Sequence, residues 1–396
     1  MAEKNTSLLL SLSLFFLLQS PAAAVLDPVD FLALQSIRKS LSDLPGSDFF
    51  SRWDFTGDPC SFPGVFCAGN HVVALELGDP RAGIPGLSGR IDSAIGHLSA
   101  LSELSVVSGR IIGRIPDSIS LCSSLRFLAI SGNFLSGSIP SSIASLRQLR
   151  TVDLSFNILS GEIPQSIATL PALSNLVLCH NRFSGRIPPF PSSSPLLRLD
   201  VKHNNLTGDF PALPHSIRYL AAAGNRLSGP IDGVVPQLTA LTYLDLSMNM
   251  FTGQIPGAIF GLPLSSLRLQ RNQFSGTVVP PADVSIPEVD LSYNRLSGAV
   301  SPFLAAVGRL YLNNNRFTGL LPVSFAQRLE VAGMEVLYLQ HNFLSGMQIS
   351  PATEIPITTS LCLQYNCMVP PVNAPCPLNV GMQKTRPVNQ CPEWRD

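Results

Sequence analysis

Eight cysteines and six histidines are the side chains of this 396-residue sequence best suited to covalent or metal chemistry. Six of the cysteines cluster near the two ends: Cys60, Cys67, Cys362, Cys367, Cys376 and Cys391. Zinc binding is the alternative for the last four, but their four, eight and fourteen intervening residues lack the short paired spacings of zinc sites. We therefore predict disulfides and no metal, with Cys60 bonded to Cys67 and three pairings open for the C-terminal four.

The two remaining cysteines, Cys122 and Cys179, raise the question of catalysis. Cys179 precedes His180, and a thiol and an imidazole in contact could form a nucleophile. Neighbouring residues on a strand point in opposite directions, which disfavours that contact, and Cys122 is expected to be a buried free thiol. The sequence has no nucleophile elbow, phosphate loop, kinase signature or metal-binding histidine motif. We predict no catalytic residue, no cofactor and no enzymatic activity.

Residues 1–24 have the pattern of a secretory signal peptide. Lys4 supplies a positive charge, residues 8–18 form an apolar run, and three alanines at 22–24 suit cleavage. That run is too short to cross ~30 Å of hydrocarbon, although an uncleaved membrane anchor is the alternative. No later segment is long and apolar enough to span a bilayer, so the mature chain is predicted to begin near Val25 and to be secreted.

The charge balance argues against two classes of partner. Lysines and arginines number 26, aspartates and glutamates also number 26, and the formal net charge is zero. A neutral chain exerts no long-range attraction on nucleic acid or on an anionic membrane surface. Neither is predicted as a partner.

A repeat of about 24 residues runs through most of the sequence. Its clearest copies occupy 128–140 (LAISGNFLSGSIP) and 152–164 (VDLSFNILSGEIP). An asparagine returns in the same phase at intervals of 21 to 27 residues, at Asn133, Asn157, Asn181, Asn204, Asn225, Asn249, Asn272, Asn294, Asn315, Asn342 and Asn366. Gly109 holds that position in an earlier copy, and a degenerate strand around Leu75 and Leu77 precedes it.

Each residue type in the repeat has a physical role. The two apolar residues before the asparagine alternate, so they point to the same side of a short strand, and only stacked coils can bury that side. The asparagine amide can satisfy backbone groups of the neighbouring coil. Stacked asparagines should form a ladder, and removing one should cost ~1–3 kcal/mol in unpaired polar groups.

The pattern Leu-x-x-Leu-x-Leu-x-x-Asn-x-Leu-Ser-Gly-x-Ile-Pro resembles the plant-specific leucine-rich repeat of receptor kinases, receptor-like proteins and polygalacturonase inhibitors. The resemblance covers roughly residues 27 to 370. It implies an α/β solenoid, a right-handed superhelix with a parallel β-sheet on the concave face and disulfide-capped ends. The predicted domains are the signal peptide 1–24, an N-terminal cap 25–72, an array of about 12 repeats at 73–366, and a cysteine-rich C-terminal cap or tail 367–396.

The segment before the array resembles the N-terminal cap of that family. Asp27 can cap a helix that has Pro28 in its first position. The apolar stripe of this helix would consist of Phe31, Leu34, Ile37 and Leu41. Trp53 and the segment from Asp58 to Cys67 match the rest of the cap, except that Phe62 and Pro63 stand where the family usually has Trp.

The outward-facing residues of successive strands should form a concave surface, with neighbouring strands about 4.8 Å apart. Tyrosine and arginine contribute much of the energy at protein interfaces. The ligand-contact candidates are therefore Tyr219, Tyr243, Arg268, Arg309, Tyr311 and Tyr338. The alternative is a solvated strand surface with no dedicated partner.

Two features lie outside this set. Asn205 begins an Asn-Leu-Thr sequon, and we predict that it carries a glycan. His180 and His203 should approach each other on adjacent coils with Asp200 nearby, and such a pair is more typical of a protein surface than of a catalytic triad.

The resemblance to receptor-like proteins implies a secreted recognition protein that binds a protein, peptide or cell-wall ligand through its concave face, in plant extracellular signalling or defence. The implied partners are a receptor-kinase ectodomain, a pathogen enzyme or a wall polysaccharide. The implied location is the apoplast or cell wall, with the plasma membrane reached through a partner. The resemblance to polygalacturonase inhibitors implies the alternative, inhibition of a pathogen's cell-wall-degrading enzyme. The sequence is longer than the usual inhibitor pattern and has its own cysteine-rich tail, which favours the first function.

Overall fold

The computed structural model of the chain describes residues 25–78, 86–350, 352–370, 376–377 and 385–391. These residues wind into a right-handed solenoid in which each coil contributes a strand to one long sheet, as predicted. The signal peptide predicted at 1–24 lies outside the described residues, and so does more than half of the tail predicted at 367–396.

Helix α1 (Pro28–Ser40) closes the N-terminal end of the solenoid. The Asp27 carboxylate accepts a hydrogen bond from the backbone N–H of Val29 at 2.8 Å, and Pro28 occupies the first helical position. Leu34 and Ile37 are buried in the core that α1 shares with the first coils. The apolar end of the array is thereby covered, which removes a surface that would otherwise promote association.

The outer segments of the coils form short helical turns. Two are α-helices, α2 (Gln165–Ala168) and α3 (Val323–Glu330). Prolines of the Ile-Pro units, such as Pro140 and Pro256, stand directly before several of these turns, where their fixed φ suits an extended entry. The 3₁₀ turns span Phe49–Arg52, Pro59–Ser61, Ser93–His97, Asp117–Leu121, Ser141–Ser145, Val235–Gln237, Gly257–Gly261, Pro302–Ala306 and Val388–Gln390.

Fourteen strands form the concave sheet. They are Val65–Ala68, His71–Leu77, Glu103–Val106, Phe127–Ala129, Thr151–Asp153, Asn175–Val177, Arg198–Asp200, Tyr219–Ala221, Tyr243–Asp245, Ser266–Arg268, Glu288–Asp290, Arg309–Tyr311, Val336–Tyr338 and Ser360–Cys362. The first two strands pair antiparallel and every later pair is parallel. Corresponding residues of successive coils therefore stand side by side.

A second layer of strands follows the turn in each coil, and we call it the second sheet. Its first nine strands are Leu41–Asp43, Leu87–Arg90, Arg110–Gly113, Phe134–Gly137, Ile158–Glu162, Arg182–Gly185, Asn205–Asp209, Arg226–Gly229 and Met250–Phe251. After a break, four more follow at Ser275–Gly276, Arg295–Gly298, Arg316–Leu321 and Phe343–Met347. Gly208 shows why glycine closes these strands: its φ is +84°, and a Cβ there would lie 3.0 Å from Cγ of Arg186 on the preceding coil.

The ladder asparagines hold consecutive coils together. The Asn157 amide donates to the carbonyl oxygen of Ile130 on the preceding coil at 2.7 Å and to those of Leu154 and Ser155 on its own coil. Its Oδ1 accepts from the backbone N–H of Leu135 at 2.9 Å. The amides of the other ten ladder asparagines also donate to a carbonyl of an earlier coil and accept from a backbone N–H.

Three disulfides lie in the two ends of the described chain. One joins Cys60 to Cys67 in the N-terminal cap. Among the three pairings that the sequence left open at the other end, the structure has Cys362–Cys376 and Cys367–Cys391. The second of these holds the segment around Arg386 against the last coils, where the guanidinium lies 3.9 Å from the ring centroid of Phe343.

Candidate ligand-binding surface

The six predicted contact residues lie on the concave sheet between the strands Tyr219–Ala221 and Val336–Tyr338. Arg309 is exposed and the other five are half-buried. Five strand-to-strand steps separate Tyr219 from Tyr338, a length of about 24 Å at the usual spacing. We call this surface the concave strip. The structure divides it into two aromatic pairs and a charged segment between them.

The first aromatic pair is Tyr219 and Tyr243, which stand in register on adjacent strands. Their rings stack with centroids 4.6 Å apart and planes inclined by only 5°. The Arg198 guanidinium covers the other face of Tyr219 at 4.3 Å and also pairs with Asp200 at 3.3 Å. Burial raises the pKa of both phenols, and the nearby carboxylate of Asp200 or Asp245 adds to the shift, so both remain neutral at physiological pH.

The charged segment alternates in sign from strand to strand. Arg268 donates to Oε1 of Glu288 at 2.9 Å from Nη2 and at 3.2 Å from Nε. Arg309 lies 3.8 Å from Glu288 and 3.8 Å from Glu335. Burial opposes the charged form of Arg268, but Glu288 and Tyr243 outweigh it and raise its pKa. Ion pairs that are partly exposed to solvent contribute little to stability, so the main consequence of these pairs is to orient the guanidinium groups.

The second aromatic pair, Tyr311 and Tyr338, is also in register on adjacent strands. Their rings meet edge to face with centroids 5.2 Å apart and planes at 90°. Burial, followed by Glu288, raises the pKa of Tyr311, which therefore keeps its proton. Among the described residues, none pairs by a hydrogen bond with the hydroxyls of the four strip tyrosines. All four hydroxyls are therefore available to a ligand.

The surroundings of Cys179 disfavour a reactive thiolate. Burial and the Asp200 carboxylate raise the pKa of its thiol to about 11, so the thiolate is rare at neutral pH. His180 and His203 do meet on adjacent coils, with ring centroids 4.4 Å apart. Asp200 is paired with Arg198 and Lys202 instead of an imidazole. Cys122 is a buried free thiol whose pKa burial raises to about 11.

One group of potential metal ligands occurs in the described part of the chain, formed by Asp27, Asp30 and His71. Each has a structural role already. Asp27 caps α1, and the buried Asp30 accepts from the backbone N–H of Val72 at 2.8 Å and contacts Nδ1 of His71 at 3.3 Å. These contacts join the cap helix to the first long strand.

Sequence reasoning expected His180 near His203 but missed the longer row of bulky residues to which they belong, each of which precedes a ladder asparagine. Phe156, His180, His203 and Tyr293 have φ between +51° and +55°, a region that side chains of this size rarely adopt. The His180 ring stacks on both Phe156 and His203. The sequence did contain a signal for this row. The position before the ladder asparagine holds a large residue in these coils, although glycine or asparagine would adopt its backbone conformation with less strain.

A groove of about 690 Å³, also missed from the sequence, opens over the second sheet and is lined in part by Glu162, Arg186, Thr207 and Asp209. Asn205, the predicted glycosylation site, is exposed on the same sheet. A glycan at Asn205 would extend from the second sheet and leave the concave strip open.

Stacked parallel strands, a ladder of asparagines and capped ends together define a leucine-rich-repeat solenoid. A family model described as leucine rich repeat N-terminal domain matches residues 27–68. A second, described as leucine rich repeat, matches 124–146, 148–170, 240–262 and 308–327. The chain belongs to the leucine-rich-repeat proteins, and its relatives include receptor-like proteins of Arabidopsis thaliana. Among the described residues, no helix combines the length and apolarity needed to cross a bilayer.

Receptor-like protein 7 of Arabidopsis thaliana is 30% identical over 155 residues, which cover 38% of this chain and 15% of that protein. The chain thus spans a small part of this relative. The structure of PEPR1-AtPEP1 aligns with a TM-score of 0.68 and 28% identity, over 86% of this chain and 52% of that chain.

Two further structures align over much of this chain. The plant peptide hormone receptor RGFR1 in complex with RGF2 has a TM-score of 0.56 and 26% identity, over 66% of this chain and 53% of that one. A plant ice-binding protein has a TM-score of 0.58 and 27% identity, over 84% of this chain and 99% of that one. One solenoid architecture therefore serves different functions in plant proteins.

Proposed function

We propose that this protein is a secreted plant recognition protein that binds an extended peptide, or an extended segment of a protein, along the concave strip. The observation that carries the proposal is the arrangement of four tyrosines, whose hydroxyls have no partner among the described residues, and two oriented arginines on five of six consecutive strands. A surface about 24 Å long accommodates about seven residues of extended chain. Rigid aromatic and arginine side chains are typical of the energetically dominant part of an interface.

The likeness to the peptide hormone receptor RGFR1 supports a peptide or protein ligand over a small molecule. The high pKa of Cys179 and the structural use of Asp27 and Asp30 support a function without catalysis, cofactor or metal. The location that we propose is the apoplast or cell wall. Signalling or defence would then depend on a partner such as a receptor-kinase ectodomain.

The test is affinity capture from plant cell-wall and membrane extracts, followed by measurement of the dissociation constant of the captured partner. The strip variant is Tyr243→Ala/Arg268→Ala/Tyr311→Ala. Its matched control is Phe134→Ala/Phe303→Ala/Arg226→Ala, which removes two exposed aromatic rings and one arginine outside the strip. We expect wild type and control to retain the partner equally and the strip variant to bind it at least about tenfold more weakly.

Equal retention by a folded strip variant would contradict the proposal. The identity of the partner separates the two roles implied by the resemblance. A captured wall-degrading enzyme that is slowed at a near-stoichiometric ratio would establish the inhibitor role. A captured peptide or receptor ectodomain would establish the recognition role.

A further inference from the structure

The groove of about 690 Å³ over the second sheet arises from two irregular coils. The coils from Asn181 to Asn204 and from Asn204 to Asn225 have 23 and 21 residues, against 24 in each of the two coils before them. Proline-rich segments form their outer sides, and no α- or 3₁₀-helix lies within the described residues 169–234. The groove therefore opens where α2, on the coil before, is not followed by a further helical turn.

Three charged side chains line this groove and are available to a ligand. Glu162, Arg186 and Asp209 hold the same position on three consecutive coils, and all three are exposed. None of them forms a hydrogen bond or an ion pair within the part of the chain that the structure describes. A Cβ at Gly208 would lie 3.1 Å from Nε of Arg186, so this side chain extends over the strand Asn205–Asp209.

Apolar groups form much of the remaining lining. Ile187 and Phe210 are buried with one side against the groove, and Pro189 is exposed at its edge. Nε2 of Gln165 donates to the carbonyl oxygen of Pro189 at 3.2 Å, which ties the proline-rich segment to the coil of α2. Apolar carbons beside carboxylates and a guanidinium suit a sugar, whose ring has apolar C–H faces and a rim of hydroxyls. Hydrogen bonds to charged groups are stronger than those between neutral groups.

The predicted glycosylation site lies next to the groove. Asn205, Thr207 and Asp209 are exposed residues at alternate positions of one strand, so their side chains point to the same side of the second sheet. Thr207 and Asp209 line the groove, and about 7 Å of extended chain separates Asn205 from Thr207. The first sugars of a glycan on Asn205 are therefore within reach of the groove.

Attachment to Asn205 favours the glycan over a free ligand as the occupant. The charged residues that line the groove are exposed, so a free small molecule would keep much of its surface in water and bind weakly. A short covalent link gives the attached group an effective concentration in the millimolar range, at which weak contacts are sufficient.

We propose that the groove binds the first two N-acetylglucosamine residues of a glycan on Asn205, with Glu162, Arg186 and Asp209 as their hydrogen-bonding partners. The proposal goes beyond the proposed function: it uses only the secretory route and needs no ligand on the concave strip. The bound sugars would cover the outer segments of the two irregular coils, in the place that a helical turn occupies on the coil of α2.

The experiment measures how accessible the core of the glycan is in the native protein. The full-length chain is secreted from plant cells that are treated with an inhibitor of mannose trimming, so that its glycans remain of the high-mannose type. Mass spectrometry of glycopeptides determines the occupancy of Asn205. Endoglycosidase H then cuts between the first two N-acetylglucosamine residues, and its rate on native protein is compared with its rate after denaturation.

The matched control moves the glycan to another coil of the second sheet. Asn205→Gln/Arg295→Asn/Ser297→Thr recreates the local sequence Asn-Asn-Leu-Thr-Gly four coils further along the solenoid. In that coil the uncharged Ala299 follows the glycine, and the helical turn Pro302–Ala306 is present.

The groove variant is Glu162→Ala/Arg186→Ala, which leaves Asn205 in place and removes two exposed side chains of the lining. Circular dichroism verifies that this variant and the control are folded. We expect the native wild type to be cut at least about tenfold more slowly than the control, because a glycan that is bound for about nine-tenths of the time exposes its core for the remaining tenth. The groove variant should be cut as fast as the control.

Equal rates for the wild type and the control would overturn the inference, and so would slow cleavage that persists in the groove variant. An Asn205 that carries no glycan would overturn it as well. These outcomes leave ligand binding by the concave strip untouched, so the proposed function is tested separately.

Discussion

Two polar rows run the length of the solenoid, and they use their hydrogen-bonding groups in opposite ways. In the ladder, the Asn249 amide donates to three backbone carbonyls and accepts from the N–H of Leu227. Four residues earlier in the same coil, Asp245 on the concave sheet has one carboxylate oxygen, Oδ2, that forms no hydrogen bond with the described residues. The ladder therefore stabilises the array and has no free hydrogen-bonding group to offer a ligand. The outward-facing residues of the concave sheet, in contrast, retain groups that can recognise a ligand.

The difference follows from where each residue sits in the coil. A ladder asparagine lies at an internal turn, where backbone groups of two coils must be satisfied, and a short amide provides both donor and acceptor. A central strand residue points away from the core, and its backbone is already paired with the neighbouring strands. Its side chain is free to vary, which is why asparagine recurs in one row and Asp, Tyr, Arg and Ala alternate in the other.

The largest effect is predicted for Asn249→Ala. The change leaves Leu227 N–H and up to three carbonyls without their partner, so we expect unfolding free energy to fall by about 2–4 kcal/mol. Urea unfolding followed by circular dichroism measures this loss. The matched control is Asn175→Ala on the concave sheet, whose side chain bonds, among the described residues, to the hydroxyls of Thr151 and Ser174 alone.

We expect Asn175→Ala to cost less than about 1 kcal/mol, because both of its partners can turn to water. Equal losses for the two variants would show that position in the coil does not decide the role of an asparagine. That result would contradict the distinction between the ladder and the concave sheet.

The sequence predicted the ladder because asparagine recurs at the internal turn of eleven coils, and it predicted the cap of α1 because Asp27 and Pro28 have strong positional preferences. The sequence could not predict the C-terminal disulfide pairing, because the spacing of the four cysteines leaves three pairings equally possible. The burial of Asp200 and Asp245 on the concave sheet could not be predicted either. Their enclosure depends on the large side chains of neighbouring coils, which a reading of one strand at a time does not include.

A smaller effect is predicted for Tyr219→Ala in the concave strip. The variant loses the stack on Tyr243 and the Arg198 contact, and we expect unfolding free energy to fall by about 1 kcal/mol. Tyr219→Phe keeps the ring and should stay within about 0.5 kcal/mol of wild type, because the hydroxyl has no partner among the described residues. A loss in Tyr219→Phe as large as that in Tyr219→Ala, measured by the same urea titration, would show that the hydroxyl serves the fold and is not reserved for a ligand.

The row of bulky residues beside the ladder combines exposure to solvent with ring contacts between coils. The His180 ring is exposed, but it lies between the rings of Phe156 and His203 at 4.3 and 4.4 Å. Its pKa is lowered from 6.5 by burial, then by His203 and Lys202, with Asp200 acting in the opposite direction. The folded protein therefore binds this proton less readily than the unfolded chain does.

The smallest predicted effect is the pH dependence that follows from this lowered pKa. The contribution of neutral His180 to stability is fully present above pH 6.5 and is lost as pH falls through the lower pKa of the folded state. His180→Asn removes the titrating group and tolerates the left-handed backbone, whose φ is +55°. The thermal midpoint of this variant minus that of the wild type should therefore be larger at pH 5.5 than at pH 7.5.

The control is His97→Asn, which removes an imidazole in the turn Ser93–His97, remote from the stack. A relative midpoint that does not change with pH, or an NMR titration of His180 centred above 6.5, would show that the stack does not resist protonation.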